Sequence, residues 1–222
     1  MVALFIMGMI ATLVIAELIA GRFEGRKLNV VTPQPATRSS LTVAPDGIEF
    51  HRGHTWAREA ADGILVGLDS FAKTIVGRPE EVRVPTTGTR IAQGEPAWTI
   101  RRNGHEFAML SPVNGEVVAV NERVTNDPGV VESDPYDAGW LVKVRPDNFR
   151  VDRRNLLNGT LAGHWMDESY ERLGRIFSPE LGVVMNDGGQ LISGVIDSLE
   201  PEQVEQALHE FFLVETRNNI EE

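Results

Sequence analysis

The five residues Arg101-Arg102-Asn103-Gly104-His105 gather polar chemistry at one point of the chain: two guanidinium groups, a carboxamide and an imidazole around a turn pair. Asn-Gly best tolerates the positive φ angles that both central positions of a two-residue type I′ turn require, so this cluster is predicted to sit at the tip of a β-hairpin. Guanidinium groups on a fixed turn suit contact with protein or with anionic lipid head groups. They supply no nucleophile and no acid–base pair. Elsewhere the chemistry is thin. His51 and His54 are three residues apart, a weak spacing for a metal in a strand or loop, and no carboxylate cluster completes a set. His164 and His209 fall in helical stretches, no Ser-His-Asp motif or phosphate-cradling loop occurs, and the chain has no cysteine. No catalytic residue, metal site, cofactor or small-molecule substrate is expected, and an enzyme is not the reading these residues support.

The hairpin that must carry the tip can be written residue by residue. With the turn at Asn103-Gly104, Arg102 faces His105, Arg101 faces Glu106, Ile100 faces Phe107, Thr99 faces Ala108 and Trp98 faces Met109. Strand alternation puts Trp98, Ile100, Phe107 and Met109 on the core face and an Arg101–Glu106 pair on the other.

Residues Val2 to Gly21 form an apolar run that, as a helix, spans a hydrocarbon core of about 30 Å. Arg22, Arg26 and Lys27 follow it and nothing charged precedes it except the terminal amine. This favours an uncleaved single-pass anchor over a signal peptide. The N-terminus is then outside a bacterial-type inner membrane and the rest of the chain cytoplasmic. Gly8, Thr12, Ala16 and Ala20 recur every fourth residue, a small-residue face that admits a second helix. Glu17 lies beside that face near the cytoplasmic end, where it either snorkels to the interface or pairs with a partner helix. Gly8, Thr12, Ala16 and Glu17, together with the tip residues 101–105, are the candidate partner-binding residues.

From Arg22 to Gly47 the composition, with Pro33, Pro35 and Pro45, reads as a tether. A β-rich domain is expected over residues 48–146, with strands at His54–Glu59, Gly63–Leu68, Glu81–Val84, Ala97–Arg102, His105–Leu110, Glu116–Val120 and Leu141–Val144. A short helix is expected at Ser70–Val76, capped by Asp69 or Ser70. Residues 147–222 read as an acidic helical extension, with helical spacing at Asn155–Leu161, His164–Phe177 and Pro201–Leu213, and a turn at Asn186–Gly189. From Val151 onward there are five Arg and fourteen Asp/Glu, so −9 of the net charge of −11 lies there. That balance opposes nucleic-acid binding. It makes a solvated helical face or a docking surface for a basic partner.

Several motifs lie in a fixed order over residues 54–145. They are His54-Thr55-Trp56, Val66-Gly67-Leu68-Asp69-Ser70-Phe71-Ala72, Val84-Pro85-Thr86-Thr87-Gly88, Gly94-Glu95, Ser111-Pro112-Val113-Asn114-Gly115-Glu116-Val117, Val120-Asn121, Ser133-Asp134-Pro135-Tyr136 and Gly139-Trp140-Leu141-Val142-Lys143-Val144. In these the chain resembles the H protein of the glycine cleavage system. The resemblance implies a lipoyl-domain-like β-sandwich, a barrel-sandwich hybrid, that carries lipoic acid on a lysine at a hairpin tip. Where that family has Glu-Ser-Val-Lys-Ala, this chain has Arg101-Arg102-Asn103-Gly104-His105, so the lysine position falls on Gly104. The lysines present, Lys27, Lys73 and Lys143, all lie outside the hairpin.

The expectation is therefore a mainly β, non-lipoylated H-protein-like domain with one N-terminal membrane helix and a C-terminal helical extension. Its work would be that of an accessory or scaffold subunit that stabilises or assembles a complex of integral membrane protein subunits in the lipid bilayer. Respiratory and photosynthetic electron-transfer complexes are hosts by analogy only. The alternative is a carrier-related or regulatory binding module that works with glycine-cleavage or lipoate enzymes.

Overall fold

The structure, a computed structural model, describes residues 45–177 and 193–212. The apolar run Val2–Gly21 with Gly8, Thr12, Ala16 and Glu17, nearly all of the tether, and the Asn186–Gly189 turn lie outside the described residues. Among the described residues no helix is long and apolar enough to cross a membrane.

Among the described residues nine strands form two sheets. The larger one has the order β1 (Ile48–His51), β2 (Thr55–Ala60), β3 (Gly63–Leu68), β9 (Val142–Pro146), β8 (Gly115–Val120), β5 (Arg90–Ile91). The smaller one has the order β4 (Glu81–Arg83), β6 (Pro96–Arg102), β7 (His105–Leu110), and all pairings are antiparallel. Strand alternation sends Ile64, Val66 and Leu68 of β3, Val142 and Val144 of β9, and Ile100, Phe107 and Met109 of the hairpin into one core. Helix α1 (Ser70–Val76) starts where expected because Asp69 caps it, its carboxylate accepting the Ala72 N–H at 2.8 Å. Two short helices follow β8, α2 (Glu122–Asn126) and α3 (Val130–Ser133).

Strands β1 and β5 and the short helices are absent from the sequence expectation, because each is too short to show a periodicity of its own. The helix expected over Asn155–Leu161 forms only from Gly159 onward, and the residues before it take other structure. After α4 (Phe149–Asp152) and a 3₁₀ turn at Arg153–Asn155, Leu157 exchanges backbone hydrogen bonds of 2.8 Å in both directions with Phe50. That bridge holds the backbone extended until α5 (Gly159–Phe177) begins. A second 3₁₀ turn at Val195–Ser198 leads into α6 (Pro201–Phe212), which opens on proline, where a missing N–H costs nothing. Leu173 and Ile176 of α5 and Val204, Ala207, Phe211 and Phe212 of α6 belong to the same buried cluster as the sheet residues. The helices thus share the core of the sheets.

Candidate functional site

The β6–β7 hairpin adopts the register written from its turn, with Arg102 opposite His105, Arg101 opposite Glu106, Ile100 opposite Phe107, Thr99 opposite Ala108 and Trp98 opposite Met109. Asn103 and Gly104 have φ of 48° and 78°, the left-handed pair that a type I′ turn demands. Gly104 is exposed, and a side chain there would meet nothing within 4 Å.

The flanking charges are spent within the molecule. Arg101 does not pair with Glu106 across the hairpin. Its Nη2 lies 3.0 Å from Glu81 Oε2 on the neighbouring β4, while Glu106 Oε1 takes Arg83 Nη1 at 3.2 Å. The third strand offers each charge a partner, and the four side chains form an alternating chain, Arg101–Glu81–Arg83–Glu106. Arg102 reaches in another direction. Its Nη1 donates to Arg78 O at 2.6 Å, and its Nη2 and Nε donate to the two carboxylate oxygens of Asp197 in the 3₁₀ turn. Asn103 Nδ2 donates to Asp197 Oδ1 at 2.5 Å, and the Asn103 N–H donates to Glu80 at 3.2 Å. The Arg102 guanidinium, followed by the Asn103 amide, holds the Asp197 carboxyl below the usual aspartate range. Gly104 and the half-buried His105 are what the tip has left to present.

Beside the hairpin lies an aromatic box around His54. This residue has φ 58° and is 1% exposed. Its Nδ1 is 2.8 Å from Asp69 Oδ2, so Asp69 serves the helix cap with one oxygen and the imidazole with the other. The ring stacks between Phe71 at 4.1 Å and Trp165 at 4.6 Å, with the rings of Phe211 and Phe212 at 6.1 and 6.3 Å. A carboxylate-oriented imidazole is a general-base arrangement in an open cleft. Sealed by four aromatic rings, it is a packing element. His51, the other member of the spaced pair, accepts the Gly53 N–H on Nδ1 at 3.1 Å. Burial, then the neighbouring His54 and Arg52, lower its pKa to about 4.

Of the residues singled out from sequence, the structure brings Arg101–His105 together at the tip, and Gly8, Thr12, Ala16 and Glu17 fall outside its described range. Sequence reasoning missed Asp197, Trp165, Phe211 and Phe212 as neighbours of this region. Asp197 is 95 residues from Arg102, and nothing local in Ser193-Gly194-Val195-Ile196-Asp197 marks it as a partner.

A family model described as glycine cleavage H-protein matches residues 48–169, more than half of the 222-residue chain. This chain belongs to the glycine cleavage H-protein family. It is 37% identical over 103 residues to the glycine cleavage system H protein of Saccharophagus degradans, covering 46% of this chain and 79% of that protein. With the glycine cleavage system H protein of Myxococcus xanthus the identity is 32% over 109 residues, covering 49% and 84%. A solved glycine cleavage system H protein from Mycobacterium marinum is similar at a TM-score of 0.50 and 26% identity, covering 57% of this chain and 99% of that one. The mainly β fold is therefore that of an H protein. The match continues past the last motif at Val144 into α5, whereas the 3₁₀ turn with Asp197 and the whole of α6 lie beyond it.

Proposed function

We propose that this chain is a non-catalytic, non-lipoylated H-protein-like accessory subunit, anchored through Val2–Gly21 in a bacterial-type inner membrane with its H-protein domain in the cytoplasm. There it stabilises or assembles a complex of integral membrane proteins. The observation that carries this reading is Gly104. The turn that corresponds to the family's lipoyl-bearing position holds a residue with no amine to acylate, at a φ of 78° that suits glycine. Relatives named as glycine cleavage system H proteins point to a carrier ancestry. The binding role falls to what remains: the small-residue face Gly8, Thr12 and Ala16 with Glu17, and the tip from Arg101 to His105.

The test is gentle detergent extraction of native membranes, affinity isolation, and mass spectrometry of the intact chain and its companions. The expected result is an unmodified chain, N-terminal helix retained, in fixed ratio with integral membrane proteins. A chain heavier by a lipoyl group, or one isolated with soluble glycine-cleavage enzymes alone, would overturn the subunit reading in favour of a carrier or a regulatory module.

A further inference from the structure

Residues 193–212 lie past the family match, yet they cover part of the family domain. Phe211 packs on Phe71 at 4.8 Å, and Phe212 on Phe107 of the hairpin at 5.6 Å. At the other end of the segment, Gly194 crosses the end of α1 so closely that a side chain on Gly77 would lie 2.6 Å from the Gly194 Cα. The Gly194 N–H donates to Thr74 O at 2.9 Å, and Ser193 Oγ donates to Glu132 at 2.6 Å. Between these two anchorages Asp197 takes hydrogen bonds from both Arg102 and Asn103. One carboxylate therefore ties the segment to the hairpin tip. It is the only described side chain of the segment that bonds to the tip. The contact is partly exposed, with the side chains of Arg102 and Asp197 at 22% and 31%.

We infer that residues 193–212 form an in-cis cap, with α6 as the occupant of the aromatic face around His54, Phe71 and Phe107 and Asp197 as its latch on the hairpin tip. The cap opens as a unit separate from the sheets. Because the latch and the covered face share one segment, whatever engages Arg102 and Asn103 at the tip also sets how often the aromatic face is uncovered. This coupling does not depend on which complex the chain serves.

The absence of cysteine gives a clean test in the full-length protein. A single thiol at Val204→Cys, buried in the cap, and a second protein with Val144→Cys, buried in β9, are each treated with an aromatic disulfide reagent whose released thiolate is followed by absorbance. Each is measured with and without Asp197→Ala. The inference expects Asp197→Ala to raise the labelling rate at 204 by roughly tenfold or more, as loss of charge-assisted bonds implies, with the rate at 144 unchanged. Arg102→Ala should reproduce the effect from the other side. An equal rise at both thiols would mean that the cap opens only with the whole fold, and an unchanged rate at 204 would mean that Asp197 is no latch. Either outcome overturns the inference. Ala207→Cys, also buried in α6, replaces Val204→Cys should that variant fail to fold.

Discussion

His51 makes the fold sensitive to mild acid, and the size of the effect follows from its surroundings. The imidazole is held neutral, its Nδ1 accepting the Gly53 N–H, and burial followed by His54 and Arg52 lowers its pKa from 6.5 to about 4. The unfolded chain binds a proton at this position below pH 6.5, while the folded chain resists doing so until about pH 4. The stabilisation is therefore complete above 6.5 and is lost as pH falls toward 4. At about 1.4 kcal/mol per tenfold change in proton affinity, roughly 2–3 kcal/mol disappears between pH 7.5 and pH 4.5. Glu49 acts in the opposite sense. Burial raises its carboxyl pKa against the lowering by Arg153, so its contribution is present at low pH and is lost as pH rises through the raised value. The wild-type pH profile alone would mix the two, and the difference between wild type and His51→Asn isolates the histidine. Asparagine keeps an acceptor near the Gly53 N–H and does not titrate. Urea denaturation followed by tryptophan fluorescence at intervals from pH 7.5 to 4.5 should show the wild type losing about 2–3 kcal/mol relative to the variant. Two profiles that stay parallel across this range would refute the neutral assignment of the half-buried His51.

Two substitutions test the site's supports. Asp69→Ala removes both the α1 cap and the partner of buried His54, which together should cost about 2–4 kcal/mol, read from the denaturation midpoint; Asp69→Asn, retaining an acceptor for Ala72, should cost less. Gly67→Ala places a Cβ 2.6 to 2.8 Å from ring atoms of Trp56, whose Nε1 is tied to Pro135 O at 3.1 Å, so overpacking should cost roughly 1–3 kcal/mol and move the tryptophan emission.

What the sequence discloses here is whatever is decided within a few residues. The hairpin register follows from Asn103-Gly104 and the alternation beside it, and α1 follows from Asp69 and the spacing after it. Where a distant segment competes, local reading fails in definable ways. Arg101 takes Glu81 because β4 lies alongside β6, a neighbour that the two hairpin strands do not announce. Leu157 is drawn out of a helical pattern by Phe50, more than a hundred residues earlier in the chain. Asp69 is legible as a cap and illegible as the partner of His54, since its second oxygen is committed only once β2 is in place. The clamp on the tip is the extreme case, two residues of a turn joined to one carboxylate that no local pattern marks.

That clamp changes how the tip can recognise anything. From sequence, Arg101 and Arg102 make the turn look cationic. In the structure the first guanidinium is matched by Glu81, and the second by Asp197 together with a backbone carbonyl. An anionic surface approaching the tip would have to compete with carboxylates already in hydrogen-bond contact, and surface ion pairs exchange at little net gain. Electrostatic attraction is thus a weak basis for contact while the cap is closed. Shape remains: a type I′ turn with an unobstructed Gly104 lets another backbone come close. The hydrogen bonds made by Arg102 and Asn103 hold the Asn103-Gly104 turn in one place on the domain.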